Sequence, residues 1–171
     1  MTPRPGAGSA ATSPAPAARA RSTSTATAAS PPKPEVGDAI VYGREPDLDA
    51  ETFQGVLVES GLAPRRPAEY LERLDRMLRA ADLIVTARRG GRLVGVARTL
   101  TDFAFCAYLS DLAVARDCQG LGIGRRLIAE TRAAAGPETS LLLTAAPGIE
   151  GYYEAVGMAR VPHAFRTDRE R

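Results

Sequence analysis

Apolar residues along this chain recur at period two in some stretches and near 3.6 in others, and the alternation predicts a mixed α/β domain. Ala39-Ile40-Val41-Tyr42 reads as a first strand. Asp47 or Asp49 is placed to cap a helix that carries Phe53, Val56 and Leu57 on one face and stops at Gly61. A loop, Leu62 to Pro67, leads to a second helix on which Tyr70, Leu71, Leu74, Met77, Leu78 and Ala81 hold helical spacing. Leu83 to Ala87 and Leu93 to Leu100 are β-rich runs joined by Arg89-Gly90-Gly91-Arg92, a tight hairpin signal. A strand from Phe105 to Val114 precedes a glycine-rich loop. Beyond it Ile123, Leu127, Ile128, Thr131, Ala134 and Ala135 share one helical face, and Gly136-Pro137 ends the run. Ser140-Leu141-Leu142-Leu143-Thr144 is a continuous run of the kind expected of a buried strand. Gly151 to Val156 predicts a short helix ending at Gly157. Val161 to Arg166 predicts a last strand, confined to a sheet edge by Pro162. The predicted order is β-α-α-β-β-β-α-β-α-β.

Residues 1–35 stand outside this pattern. They are Ala, Ser, Thr and Pro with scattered Arg and almost no acid. Such a stretch cannot bury enough surface to offset its ordering entropy, which predicts a disordered tail ahead of one domain over residues 36–171. Arg- and Ser-rich, acid-poor composition is also that of organellar transit peptides, while the apolar h-region of a secretory signal is missing. The cytoplasm is the expected compartment, with an organelle as the alternative.

Composition narrows the function classes. The chain has 171 residues, 44% hydrophobic and 25% charged, which suits one globular domain. A net charge of +2 gives no reason to expect nucleic acid or a membrane surface as partner. No apolar run reaches the ~20 residues of a membrane span. Two cysteines, Cys106 and Cys118, make no disulfide framework and fit a reducing compartment. No His/Cys/Asp group has metal-ligand spacing, so no metal is expected. Monomer and homodimer both remain open.

The chemistry concentrates between Leu109 and Ile128. A strand ends at Leu112-Ala113-Val114, and Gly120, Gly122 and Gly124 then alternate before the helix begins. The first turn of a helix has N–H groups without intrahelical partners, and its dipole adds partial positive charge. Glycines let an anion approach that backbone, so a phosphate is the natural guest. Arg125 and Arg126 add charge at the same end. The spacing is not that of a Walker loop, since no Gly-Lys-Ser/Thr follows, nor the Gly-x-Gly-x-x-Gly of dinucleotide sites.

Gln119-x-x-Gly122-x-Gly124 after an apolar strand resembles the acetyl-CoA loop of the GCN5-related N-acetyltransferase (GNAT) family. Tyr152-Tyr153-Glu154-Ala155-Val156-Gly157-Met158 is similar to that family's Phe-Tyr-x-x-x-Gly-Phe segment, with Met158 in place of the last aromatic. The order of elements is also that of the GNAT fold, so the resemblance runs from about Val36 to near the C-terminus. It implies a mixed, mainly antiparallel sheet flanked by helices, with two central strands splayed apart. It implies acetyl-CoA as co-substrate, with the backbone of Leu112 and Val114 pairing the pantetheine amides. Gln119, Gly120, Leu121, Gly122, Ile123, Gly124, Arg125 and Arg126 would hold the pyrophosphate.

By the same resemblance Tyr153 is the general acid. A departing thiolate, whose conjugate acid has a pKa of about 8.5, can be hydrogen-bonded or protonated by a phenol of pKa about 10. Asp111 sits where many members carry an acidic residue, which makes it a candidate general base. Its alternatives are a solvated strand residue or an anion that binds the acceptor. Asp102 and Glu154 are weaker candidates, and His163 is expected to be structural or exposed. Leu62 to Pro67 and Thr101 to Phe105 fall where the family sets acceptor specificity, with Phe103 and Phe105 as candidate pocket walls. The expected activity is acetyl transfer from acetyl-CoA to a primary amine, on a small molecule or a protein, by direct attack in a ternary complex. A non-catalytic acyl-CoA-binding module of the same fold is the alternative.

Overall fold

In a computed structural model, residues 39–170 are described. The expectations for residues 1–35 lie outside the described residues. Strands β1 (Ile40–Arg44), β2 (Leu83–Arg89), β3 (Arg92–Thr101), β4 (Cys106–Val114) and β5 (Ser140–Leu142) form one sheet in sequence order. Pairing is antiparallel from β1 through β4, and β5 runs parallel to β4. The helices are α1 (Ala50–Ser60), α2 (Leu71–Arg79), α3 (Ile123–Ala135) and α4 (Glu150–Ala155).

Local chemistry sets most boundaries. Asp49, rather than Asp47, caps α1, and its carboxylate accepts the Thr52 N–H at 2.7 Å. Gly61 closes the same helix in the left-handed region at φ 83°. The β2–β3 hairpin turns on Gly90 and Gly91, at φ 55° and 83°, the pair of positive angles a type I′ turn requires.

The two faces of the sheet carry separate cores. Ile123, Leu127 and Ile128 of α3 pack on Leu83, Val85, Ala107 and Leu109. Phe53 and Leu57 of α1, with Leu74 and Leu78 of α2, pack on Ile84, Val96 and Ala113 of the opposite face. Each of these large side chains, fully buried, contributes about 1.5–3 kcal/mol relative to exposure. Tyr70 and Leu71, expected on the apolar face of the second helix, are instead exposed at its start.

One irregularity positions the site. Across β3 and β4, Arg98 pairs with Asp111 and Thr99 with Leu109, so Ser110 is left as a bulge. A bulge reverses which face the following residues present. Ala107 and Leu109 therefore look toward α3, whereas Asp111 and Ala113 look toward α1 and α2.

Two elements differ from expectation. The run Ser140 to Thr144 pairs only over Ser140–Leu142 and is half-exposed, because its far edge meets no further strand among the described residues. Val161 to Arg166 forms no strand and lies exposed, with Phe165 98% accessible. Pro162 has no N–H to donate to a ladder.

Candidate active site

The anion-binding end of α3 forms as its glycines dictate. Gly120 and Gly122 both take φ 79°, a left-handed conformation that a side chain would strain. Gly122 occupies the N-cap of α3 and supplies no side-chain acceptor. The first helical bond runs from the Arg126 N–H to the Gly122 carbonyl at 3.0 Å. The N–H groups of Ile123, Gly124 and Arg125 are thus left without intrahelical partners. Ile123 is 1% exposed, so its side chain belongs to the core and only its backbone faces the loop. Gln119 does not reach outward: its Nε2 donates to the Val114 carbonyl at 3.0 Å and ties the loop to the end of β4. Leu121 and Arg125 are exposed at the rim. Arg126 is drawn away from the loop, since its guanidinium pairs with Glu130 and lies 5.7 Å over the Tyr42 ring. An uncapped helix start beside two left-handed glycines fits a phosphate or pyrophosphate.

The strands part beyond Tyr108 and Leu142. β4 and β5 pair only from Cys106–Ser140 to Tyr108–Leu142. From Leu109 to Val114, roughly 17 Å of strand at ~3.3 Å per residue, β4 has no partner on that side among the described residues. Leu112 and Val114 are half-buried with their side chains against the α3 core, which leaves their backbone edge to the cleft.

Helix α4 brings two tyrosines to this cleft. Tyr152 and Tyr153 meet edge to face with centroids 5.2 Å apart. The Tyr152 hydroxyl lies directly over Gly124, within the space a Cβ there would take. Its phenol is pushed up from its ordinary value by burial, with Arg125 pulling the other way. Tyr153 is half-buried against the α3 core. Burial raises its phenol as the largest effect and Tyr152 adds to it, while Arg66 and Arg65 oppose the rise.

Asp111 is held inside an ion-pair cluster. Its side chain has no exposed surface. One oxygen accepts Nε–H of Arg66 and the other accepts Nε–H of Arg98 at 2.5 Å. Arg98 also donates to the Ser110 hydroxyl at 2.8 Å and to the Met77 carbonyl at 3.2 Å. Arg66 donates to the Ser110 carbonyl at 2.6 Å and to the Arg65 carbonyl at 2.9 Å. Asp111, the candidate general base, thus lies enclosed between two guanidinium groups and is not the solvated strand residue that was its alternative. Arg66 and Arg98 are the residues that sequence reasoning missed. Arg66 lay within the loop expected to govern specificity, but nothing local pairs it with a strand 45 residues away.

The other acids are also committed. Asp102 Oδ1 accepts the N–H groups of Ala104, Phe105 and Cys106 at 2.8–3.0 Å, which hold its carboxyl down to about 2. Glu154 pairs with Arg160. A cavity of about 400 Å³ opens at the paired end of β4 and β5, lined by Leu100, Tyr108 and Leu142 together with Asp82 and Asp102. Phe103 and Phe105 do not line it and stand 45% and 77% exposed. Among the described residues no group of three His, Cys, Asp or Glu is arranged to hold a metal, and no helix is long and apolar enough to cross a membrane.

Residues 50–168 match the acetyltransferase (GNAT) domain. A curated relative, the chloroplastic serotonin N-acetyltransferase 2 of Oryza sativa subsp. japonica, is 34% identical over 127 residues. That match covers 70% of this chain, which spans 60% of the relative's length. A GNAT-family acetyltransferase structure from Streptococcus pneumoniae TIGR4 superposes with a TM-score of 0.63 at 21% identity, covering 77% of this chain and 100% of that one. An aminoglycoside N-acetyltransferase solved in complex with CoA does so with a TM-score of 0.61 at 15% identity, over 79% and 97%. The family match spans the helices, the splayed strands and the glycine loop alike, and the chain belongs to the GCN5-related N-acetyltransferase family.

Proposed function

We propose that this domain transfers acetyl from acetyl-CoA to a primary amine by direct attack in a ternary complex. The observation that carries the reading is the unpaired edge of β4, which leads from the uncapped start of α3 into the cleft beside α4. The donor, when bound, supplies an activated thioester. The free N–H groups at the start of α3 take its pyrophosphate, with Gly120 and Gly122 keeping side chains clear. The backbone of Leu112 and Val114 pairs its pantetheine amides as an added strand would. A strand N–H in the opened segment is suited to the developing oxyanion. Tyr153 keeps its proton on Oη because burial disfavours the phenolate, and donates it to the departing sulfur. With Asp111 enclosed, the amine loses its proton to solvent through the open cleft.

The cavity at the paired end of β4 and β5 supports an acceptor with an apolar body, since Leu100, Tyr108 and Leu142 line it. The name of the rice relative supports an arylalkylamine of the serotonin type. Its chloroplastic designation, together with the Arg- and Ser-rich composition of residues 1–35, supports the organellar alternative over the cytoplasmic one. Release of CoA thiol is the test, measured with a panel of arylalkylamines, aliphatic amines and lysine peptides. Release with an amine at rates well above buffer hydrolysis is expected. Tight acetyl-CoA binding without release on any amine would make the domain a binding module instead.

A further inference from the structure

The glycine loop ahead of α3 is soft by composition and must be held if it is to meet an anion ready formed. Gly120 and Gly122 lose more conformational freedom on ordering than any other residue type would, and a site that must order itself on binding gives up affinity. Two ties come from the domain itself: Cys118 is buried in the α3 core, and the Gln119 side chain donates to the Val114 carbonyl. Two arginines then join the loop to the last turn of α1. Arg92, at the start of β3, donates from Nη1 to Asp117 Oδ2 at 2.7 Å and from Nη2 to Asp117 Oδ1 at 3.1 Å. The same Nη2 donates to Glu59 of α1 at 2.6 Å. Arg116 lays its guanidinium over Gly61, where an added Cβ would meet Nη2 at 2.7 Å. Arg116 and Asp117 belong to one short turn, Arg116–Cys118, directly before Gln119 and Gly120.

We propose that Arg92 is a positioning residue for the donor loop, bridging Asp117 at the base of that loop to Glu59 on α1 so that the N–H groups at the start of α3 are aimed before the ligand arrives. Acetyl-CoA as that ligand rests on the function proposed above; the bridge is a property of the free protein. All three side chains are exposed, where a single ion pair is worth little. A two-pronged guanidinium–carboxylate pair within a network of charges is the arrangement that does count. The anchors on either side of Asp117 are firm. The β2–β3 hairpin fixes the backbone of Arg92 opposite Arg89, and Phe53 and Leu57 fix α1 in the core. Because one Nη2 touches both carboxylates, loss of the cation leaves two like charges close together. Their repulsion pushes the loop away from α1 instead of merely releasing it.

The test uses the full chain with Arg92→Met, Asp117→Asn and Glu59→Gln singly, Arg92→Met with Glu59→Gln as a pair, and CoA as the probe. Hydrogen exchange over residues 115–122 is read in the free protein, so it reports on the bridge whether or not acetyl-CoA is the donor. The N–H groups of Cys118 and Gln119, bonded to the Ala115 and Arg116 carbonyls at 2.9 and 3.3 Å, give that segment protected positions to follow. Exchange there should quicken in Arg92→Met and Asp117→Asn while the melting temperature holds. The CoA dissociation constant, by calorimetry, should rise roughly 2–5-fold, the scale of one well-made exposed pair. With an amine that supports turnover, the loss should appear as a higher KM for acetyl-CoA rather than a lower kcat. Glu59→Gln discriminates, since Glu59 is joined to the loop through Arg92. It should loosen the loop in the wild-type background and add nothing in Arg92→Met. Unchanged exchange in Arg92→Met overturns the proposal, as does a Glu59→Gln effect of equal size in both backgrounds. So does an unchanged CoA dissociation constant in a variant whose loop exchange has quickened, which would make the bridge a tether without a part in binding. Wild-type protein that binds no CoA, with exchange still quickened in Arg92→Met, would strike the acetyl-CoA reading and support the bridge.

Discussion

The Tyr152 hydroxyl occupies the space in which a Cβ on Gly124 would stand, so the first turn of α3 and helix α4 are mutually fitted at one glycine. Gly124 does not have a left-handed backbone, unlike Gly120 and Gly122. Its lack of a side chain serves close approach rather than a turn. Gly124→Ala should therefore be tolerated by the backbone of the helix, and its cost should fall on the Tyr152 contact. It should displace Tyr152 and weaken acetyl-CoA binding, measured by calorimetry. Adding Tyr152→Phe, which removes the hydroxyl, should recover part of that affinity. Undiminished binding in Gly124→Ala would place the donor elsewhere.

Tyr153→Phe keeps the ring in its apolar setting and removes only the hydroxyl. Donor affinity and melting temperature should barely change. Turnover should fall by roughly 10²–10⁴, the usual worth of a positioned general acid. Because burial raises the phenol above the ordinary 10.0, the wild-type alkaline limb should lie above that of an exposed tyrosine and vanish in the variant. Full activity in Tyr153→Phe would leave that side chain as packing.

Asp111→Asn puts the buried site out of balance, leaving two guanidinium groups without an anion. Breaking a buried pair in this way costs about 3–5 kcal/mol, which chemical denaturation would register directly. The loss should appear in stability before activity. A variant of unchanged stability but abolished turnover would restore Asp111 to a direct chemical role.

Asp102 offers a pH-dependent readout of the β3–β4 turn. Its folded carboxyl titrates at about 2 instead of the ordinary 3.8, because three backbone N–H groups favour the charged form. A depressed folded value means that its stabilising effect is complete above the unfolded pKa and fades as pH falls through about 2. Asp102→Asn keeps an acceptor oxygen but loses the charge. Its melting temperature should trail the wild type at neutral pH, and the gap should close as pH drops from about 4 toward 2. A gap that is constant with pH would assign the effect to shape rather than charge.

What the chain determined by itself is what depends on neighbouring residues. The glycine loop, a cap at Asp47 or Asp49, the Gly90-Gly91 hairpin and the helix carrying Ile123 and Leu127 all follow from backbone freedom, capping and period, which act over a few residues. The resemblance of Tyr152–Met158 to a family motif pointed to α4, but not to the seating of Tyr152 on Gly124. Only the tertiary structure decided where Asp111 faces. The bulge at Ser110 arises from pairing with β3 and turns Asp111 from the α3 side to the α2 side, where Arg98 and Arg66 enclose it. Sequence position showed an acid on a cleft strand; its solvent access depended on partners 13 and 45 residues away. The same holds for Ser140 to Thr144 and Val161 to Arg166, whose apolar content predicted strands. A strand exists only where a neighbour accepts its hydrogen bonds, and among the described residues β5 finds one on a single side and the last segment finds none.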